Sequence, residues 1–208
     1  MKNILKNILS ISIIHFLCFK ILIYLLAILL AYILYSSIKE PIKFQAAKQA
    51  RKAVVVKQLE DIRTAQEIYR SITGEFAGDF DTLSTILRNG QIPFIVLSED
   101  PEFPGDSEKF LTDTTYASAV DSIMSLGINL DSLRYVPFSG GKTFDIAADT
   151  LTYQSTLVNV VEVGTYWKDF MGKYADPKYA KYDQSYEPAK RIKFGDLNKP
   201  NISGSWDR

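Results

Sequence analysis

Residues 21–38 read ILIYLLAILLAYILYSSI, eighteen consecutive residues without a charge. At a rise of about 1.5 Å per residue, a helix over this run spans about 27 Å, close to the roughly 30 Å hydrocarbon core of a bilayer. Leu and Ile fall on every face of such a helix, so it has no polar side to turn to water. Tyr24, Tyr32 and Tyr35 suit the membrane–water boundary, and Lys20 and Lys39 bracket the run. The run predicts a single-pass transmembrane helix over residues 21–38, with Ile21, Leu25, Leu29, Ile33 and Ile38 as anchoring side chains.

Residues 1–20 are also apolar but are broken by Lys2, Lys6 and Lys20. They form an N-terminal extension that either lengthens the same helix or lies on the membrane surface as an amphipathic piece. A cleaved signal peptide fits less well, because the apolar run is too long and no small-x-small site follows it. Lipidation of Cys18 is disfavoured by Phe16 and Leu17, where small residues are expected. An uncleaved anchor is the expectation.

The formal net charge of zero hides a strong polarity along the chain. Residues 1–57 carry nine Lys/Arg against one acid, Glu40, a balance of +8; the remainder carries fifteen Lys/Arg against twenty-three Asp/Glu, a balance of −8. A basic collar beside an apolar span favours anionic headgroups, so membrane lipid is an expected partner. The acidic body argues against nucleic acid. Orientation is ambiguous from charge. Three Lys precede the span, while Lys39, Lys43, Lys48, Arg51, Lys52 and Lys57 follow it, which by the positive-inside rule favours a cytoplasmic domain.

Past the span, Pro41 either kinks the chain or opens a new helix. Val55, Leu59, Ile62, Ala65, Tyr69 and Ile72 then recur at spacings of three and four, and Gly74 follows as a stop signal. Residues 39–73 are therefore read as an amphipathic stalk helix, with Val55, Leu59, Ile62 and Tyr69 as its packing face. If Pro41 does not interrupt it, anchor and stalk make one helix of about 53 residues, near 80 Å long.

Residues 74–208 are read as a soluble α+β domain. Residues 79–88 predict a short helix capped by Asp79 or Asp81, and residues 92–98 a strand that Pro93 confines to an edge. The stretch 99–108 (EDPEFPGDSE) is a loop. A calcium site from Glu99, Asp100, Glu102 and Asp106 lacks the regular ligand alternation of known calcium loops, so a solvated acidic loop is preferred. Residues 115–126 predict a helix stopped by Gly127. Residues 133–138, 143–148 and 157–163 predict a three-stranded antiparallel meander with turns at 139–141 and 149–155, covered by the stalk helix. Ser139-Gly-Gly-Lys142 lacks the spacing of a phosphate loop.

The segment after Gly164 is rich in aromatic residues. Tyr166, Trp167, Tyr174, Tyr179 and Tyr182 make it the candidate protein interface, although packing of these rings on the sheet is the simpler expectation. Trp206 is expected to tuck back into the domain. His15 and Cys18, the only His and Cys, both lie in the N-terminal apolar stretch. A His-based triad, a cysteine nucleophile or a His/Cys metal site is thus excluded from the domain, and no cofactor or metal is expected. Carboxylates remain for a hydrolase dyad, Asp145 and Glu162 among them, but no spacing singles out a pair.

An apolar helix running into an amphipathic helix, then a variable loop and a small antiparallel meander, resembles type II secretion pseudopilins and related pilin-like proteins. The local text at Leu59-Glu-Asp-Ile-Arg-Thr-Ala-Gln-Glu-Ile-Tyr69, at Thr73-Gly-Glu-Phe76 and at Asn201-Ile-Ser-Gly-Ser-Trp-Asp207 is similar to theirs. Glu40-Pro-Ile-Lys-Phe44, Phe80-Asp-Thr-Leu83 and Asp131-Ser-Leu-Arg-Tyr-Val-Pro-Phe138 resemble a family of membrane-anchored Bacteroidota proteins with no known activity. The resemblance implies a non-enzymatic subunit of an envelope complex or a homo-oligomer, with its domain in the periplasm. Prepilin processing is not implied. The first glycine is Gly74 and the first acid Glu40, so neither the cleavage motif nor the intramembrane glutamate of pilins is present.

Overall fold

Anchor and stalk are one element. In the computed structural model of the chain, which describes residues 2–99 and 110–207, α1 runs unbroken over Lys2–Thr73 with Pro41 inside it. The N-terminal extension therefore lengthens the helix. Pro41 removes one intrahelical hydrogen bond and crowds the preceding turn, a cost of about 3 kcal/mol, but intact ladders on both sides carry the helix across it. From Phe19 onward α1 contains a window long and apolar enough to cross a membrane, none of it buried. Gly74, at φ +85°, ends the helix by donating its N–H to the Arg70 carbonyl at 2.8 Å.

The chain divides into two compact units, Met1–Ala47 and Lys48–Arg208. In the second unit, residues 48–73 of α1 bury one stripe: Val55, Leu59, Ile62, Ala65, Gln66 and Tyr69. Helix α2 (Phe80–Asn89) follows. Asp79 caps it, its carboxylate accepting from the Thr82 N–H at 2.7 Å and the Thr82 hydroxyl at 2.8 Å, which holds the Asp79 carboxyl below its ordinary range. Phe80, Leu83 and Leu87 form its buried face.

Strands β1 (Gln91–Glu99) and β2 (Phe110–Ser118) pair antiparallel from Gln91↔Ser118 to Glu99↔Phe110, forming a sheet of their own. Pro93 sits on β1, an edge strand by construction since the sheet has two strands. The helix expected at 115–126 is corrected. Thr115 to Ser118 belong to β2, where Thr and Tyr fit a pleated surface, and Ser118 then caps the shorter α3 (Ala119–Ser125) by accepting from the Asp121 N–H. The acidic stretch 99–108, with the calcium ligands considered there, lies outside the described residues beyond the backbone of Glu99.

The second sheet has the order β3-β4-β5, antiparallel throughout: β3 (Asp145–Tyr153), β4 (Thr156–Tyr166) and β5 (Arg191–Gly195). The meander was expected to draw its first strand from residues 133–138, and it does not. There Pro137 has no N–H to give a ladder, and Phe138 takes a left-handed φ of +63°, so only an isolated bridge, Tyr135↔Thr143, forms. The third strand instead comes from near the C-terminus, where Ile192 and Phe194 alternate inward with Arg191 and Lys193 on the other side. The turn expected at 149–155 shrinks to Gln154-Ser155, at φ +46° and +66°, which suits the twist of a two-residue hairpin.

Between β4 and β5 lie α4 (Trp167–Met171) and two 3-10 turns, Gly172–Tyr174 and Pro177–Tyr182. The tail returns along β5. The Gly195 N–H donates to the Ser203 carbonyl at 3.2 Å, and the Ser205 N–H to the Lys193 carbonyl at 2.8 Å. The Trp206 ring lies so close to Gly204 that a Cβ there would meet it at 2.3 Å.

Candidate interaction surface

The side chains expected to anchor the chain lie on a continuous apolar surface. Ile21, Leu25, Leu29, Ile33 and Ile38 are all more than half exposed, as are nearly all their large apolar neighbours on α1. Soluble proteins rarely leave an apolar patch of this extent to water.

The aromatic segment is arranged differently from the expected interface. Tyr174 and Tyr179 are only 7% and 8% exposed, while Tyr166, Trp167 and Tyr182 are half-buried. Their rings pack on one another: Trp167 meets Phe170 at 5.2 Å and Tyr186 edge-on at 5.9 Å, and Tyr174 meets Tyr179 edge-on at 5.0 Å. Tyr186 donates its hydroxyl to the Tyr174 carbonyl at 2.7 Å, and burial pushes its phenol up to about 12. Burying these rings removes far more apolar area from water than leaving them on a surface would. As a free docking face, then, Tyr174 and Tyr179 are corrected.

What the segment does is clasp the stalk. The Lys48 ammonium binds the Asp183 carboxylate and lies over the Trp167 ring, 5.6 Å from its centroid. One turn on, Arg51 donates to the Phe170 carbonyl at 2.6 Å. The hydrogen bond from Lys48, aided by Ser185, holds the Asp183 carboxyl well below the usual carboxylate range. A depressed folded value stabilises the fold above the unfolded value of about 3.9 and is lost as pH falls through the lower folded one. Asp183→Asn is therefore expected to lose about 1–3 kcal/mol at neutral pH. The gap to wild type should close in strong acid, as followed by urea titrations at stepped pH. A gap that is flat down to pH ~2 would disprove the linkage.

The carboxylates considered for chemistry are taken up by structure. Glu162 accepts from Arg191 at 2.8 Å and from Lys193 at 2.5 Å, and Arg191 also reaches Asp145 at 3.3 Å. This is a cross-strand ion network on the sheet's polar side, geometrically satisfied by its own cations. Among the described residues no group of three or more His, Cys, Asp or Glu stands together as a metal site.

The exposed apolar surface of the second unit lies elsewhere. On the β1–β2 hairpin, Phe94, Ile95 and Val96 project on both faces together with Tyr116, Ile95 being 68% and Tyr116 65% exposed. Next to it, α3 exposes Met124 at 68%, and Leu126 follows. Arg88 and Asp131, paired at 2.6 Å, rim a groove of about 420 Å³ floored by Val120, Ile123 and Ile128. A lone two-stranded ribbon is marginal in water, and this one offers apolar side chains on both sides. The signal was in the text: IPFIV carries apolar residues at consecutive positions, where a half-buried strand alternates.

Comparison with protein-family models, with curated proteins and with solved structures gives no match to this chain.

Proposed function

We propose that this chain is a non-enzymatic, membrane-anchored structural or assembly subunit of a bacterial envelope complex, pseudopilin-like in shape but without prepilin processing. The observation that carries the reading is the pair of exposed apolar surfaces, one of bilayer length on α1 and one on the β1–β2 hairpin and α3. A bilayer accounts for the first. A protein partner with a complementary apolar face accounts for the second, with Ile95, Tyr116 and Met124 as its central contacts. We take the folded unit to be periplasmic, following the pilin-like resemblance rather than the flanking charges.

The test is mild-detergent extraction of the tagged chain from its own membranes, with native sizing and identification of co-purifying chains. A defined complex larger than the chain is expected, and Ile95→Asp with Tyr116→Asp should dissolve it while leaving thermal unfolding unchanged. A lone monomer would sink the proposal. So would a complex indifferent to both substitutions.

A second reading, a tethered periplasmic module binding a ligand or polymer, draws on the groove beside α3. It predicts ligand-dependent thermal shifts that Met124→Asp abolishes.

A further inference from the structure

The two lysines that bracket the apolar run are not equivalent. Each stacks on an aromatic ring four residues earlier: Lys20 lies 4.5 Å from the centroid of Phe16, and Lys39 4.8 Å from that of Tyr35. Helical side chains lean toward the helix N-terminus. The lean carries the Lys20 ammonium away from the apolar run, whereas it carries the Lys39 ammonium back over the run's last turn. There Lys39 Nζ donates to Tyr35 Oη at 2.8 Å. That bond uses one of three ammonium protons, so two N–H donors and the Tyr35 O–H remain at the end of the apolar run.

Lys43 adds to this face. At about 100° per residue, Tyr35, Lys39 and Lys43 follow one another within about 80° of arc, and Ile42 flanks them. Lys39, Ile42 and Lys43 are exposed, and Lys43 makes no ion pair among the described residues. Glu40, the one acid in Met1–Ala47, is half-buried and lies about 100° round the helix from Lys39 and about 60° from Lys43. The face thus combines two cations, a phenol donor and an apolar shoulder at the end of the apolar run.

We infer that Tyr35, Lys39 and Lys43 form a binding site for the headgroup of an anionic phospholipid in the leaflet on the folded unit's side. The inference rests on the membrane-anchor reading and adds the residues that hold the headgroup. Tyr35 orients Lys39, the two lysines supply the charge complementarity, and Ile42 lies along the acyl chains below the headgroup. A zwitterionic headgroup offers the same phosphate but carries its own cation, which the lysines repel.

The full chain is reconstituted into nanodiscs of phosphatidylcholine and phosphatidylglycerol, then stripped gently. The lipid that stays bound is quantified by mass spectrometry. Phosphatidylglycerol should be enriched several-fold over the bulk ratio, with each lysine contributing at most about fivefold and salt reducing the effect. Lys39→Gln with Lys43→Gln should bring the ratio to bulk, Tyr35→Phe should lower it partway, and Lys2→Gln with Lys6→Gln should leave it unchanged. A chain that stays in the discs at alkaline pH but holds both lipids at the bulk ratio overturns this site alone. Enrichment surviving the double substitution overturns it too. A chain that leaves the discs overturns the anchor and the site together.

Discussion

Gly195→Ala is expected to remove a large part of the folded unit's stability. Gly195 closes β5 at φ +77°, and a Cβ there would sit 1.9 Å from the Val161 carbonyl oxygen and 2.9 Å from its carbon. Neither obstacle is a flexible side chain. The glycine is also pinned, opposite Glu162 in the ladder and through its N–H to Ser203. The left-handed backbone contributes about 1–2 kcal/mol and the forced displacement of packed strands about 1–3 kcal/mol more. Together these are a large fraction of a typical domain's stability of about 5–15 kcal/mol. Urea unfolding followed by the fluorescence of Trp167 and Trp206 measures it. Gly74→Ala is the matched control: its φ is +85°, but nothing lies within 4 Å of the new Cβ, so only the backbone part should appear. Equal midpoints for the two variants would show that strand β5 yields, contrary to the packing described.

The second large effect is expected at Gln66. This side chain is 1% exposed in the middle of an otherwise apolar stripe, and it holds the loop after α1 with both ends. Its amide nitrogen donates to the Ala77 carbonyl at 2.9 Å, and its amide oxygen accepts from the Ala77 N–H at 2.9 Å. Gln66→Leu fits the volume and suits the stripe, yet it leaves a buried N–H and a buried C=O unpaired. At about 1–3 kcal/mol for each of the two orphaned groups, the loss should reach about 2–6 kcal/mol. Gln66→Glu keeps both bonds only while protonated, so its loss should be small in acid and grow as pH rises and a buried carboxylate comes to face the Ala77 carbonyl. Should Leu prove neutral, the loop must find other partners.

Both sites depend on contacts that no local stretch of sequence displays. The apolar run, the stalk stripe and the cap of α2 were legible because each is a local pattern: a charge-free length, a spacing of three and four, an aspartate ahead of a helix. Gln66 falls inside the stripe and looks like an interruption; its purpose appears only once Ala77 lies opposite. Strand β5 was missed because five residues with two apolar positions carry little signal until β4 selects them. Residues 133–138 had more β-formers and lost the place to Pro137 and Phe138. The aromatic segment misled for a related reason. Tyrosine density looks alike on an interface and in a core, and the ties from Lys48 and Arg51 to this segment come from 135 and 119 residues away. The hairpin's exposed apolar residues are visible in IPFIV, whose consecutive apolar positions fit a strand open on both faces.

One consequence concerns the order in which the ribosome releases these parts. The buried stripe on residues 48–73 is made first, yet strand β5, which completes the second unit's sheet, ends at Gly195, some 120 residues later. At about 5–20 residues per second, that interval lasts roughly 6–24 s, during which the stripe is already made and the sheet is still incomplete. The second unit's β3-β4-β5 sheet therefore closes only when synthesis is nearly complete.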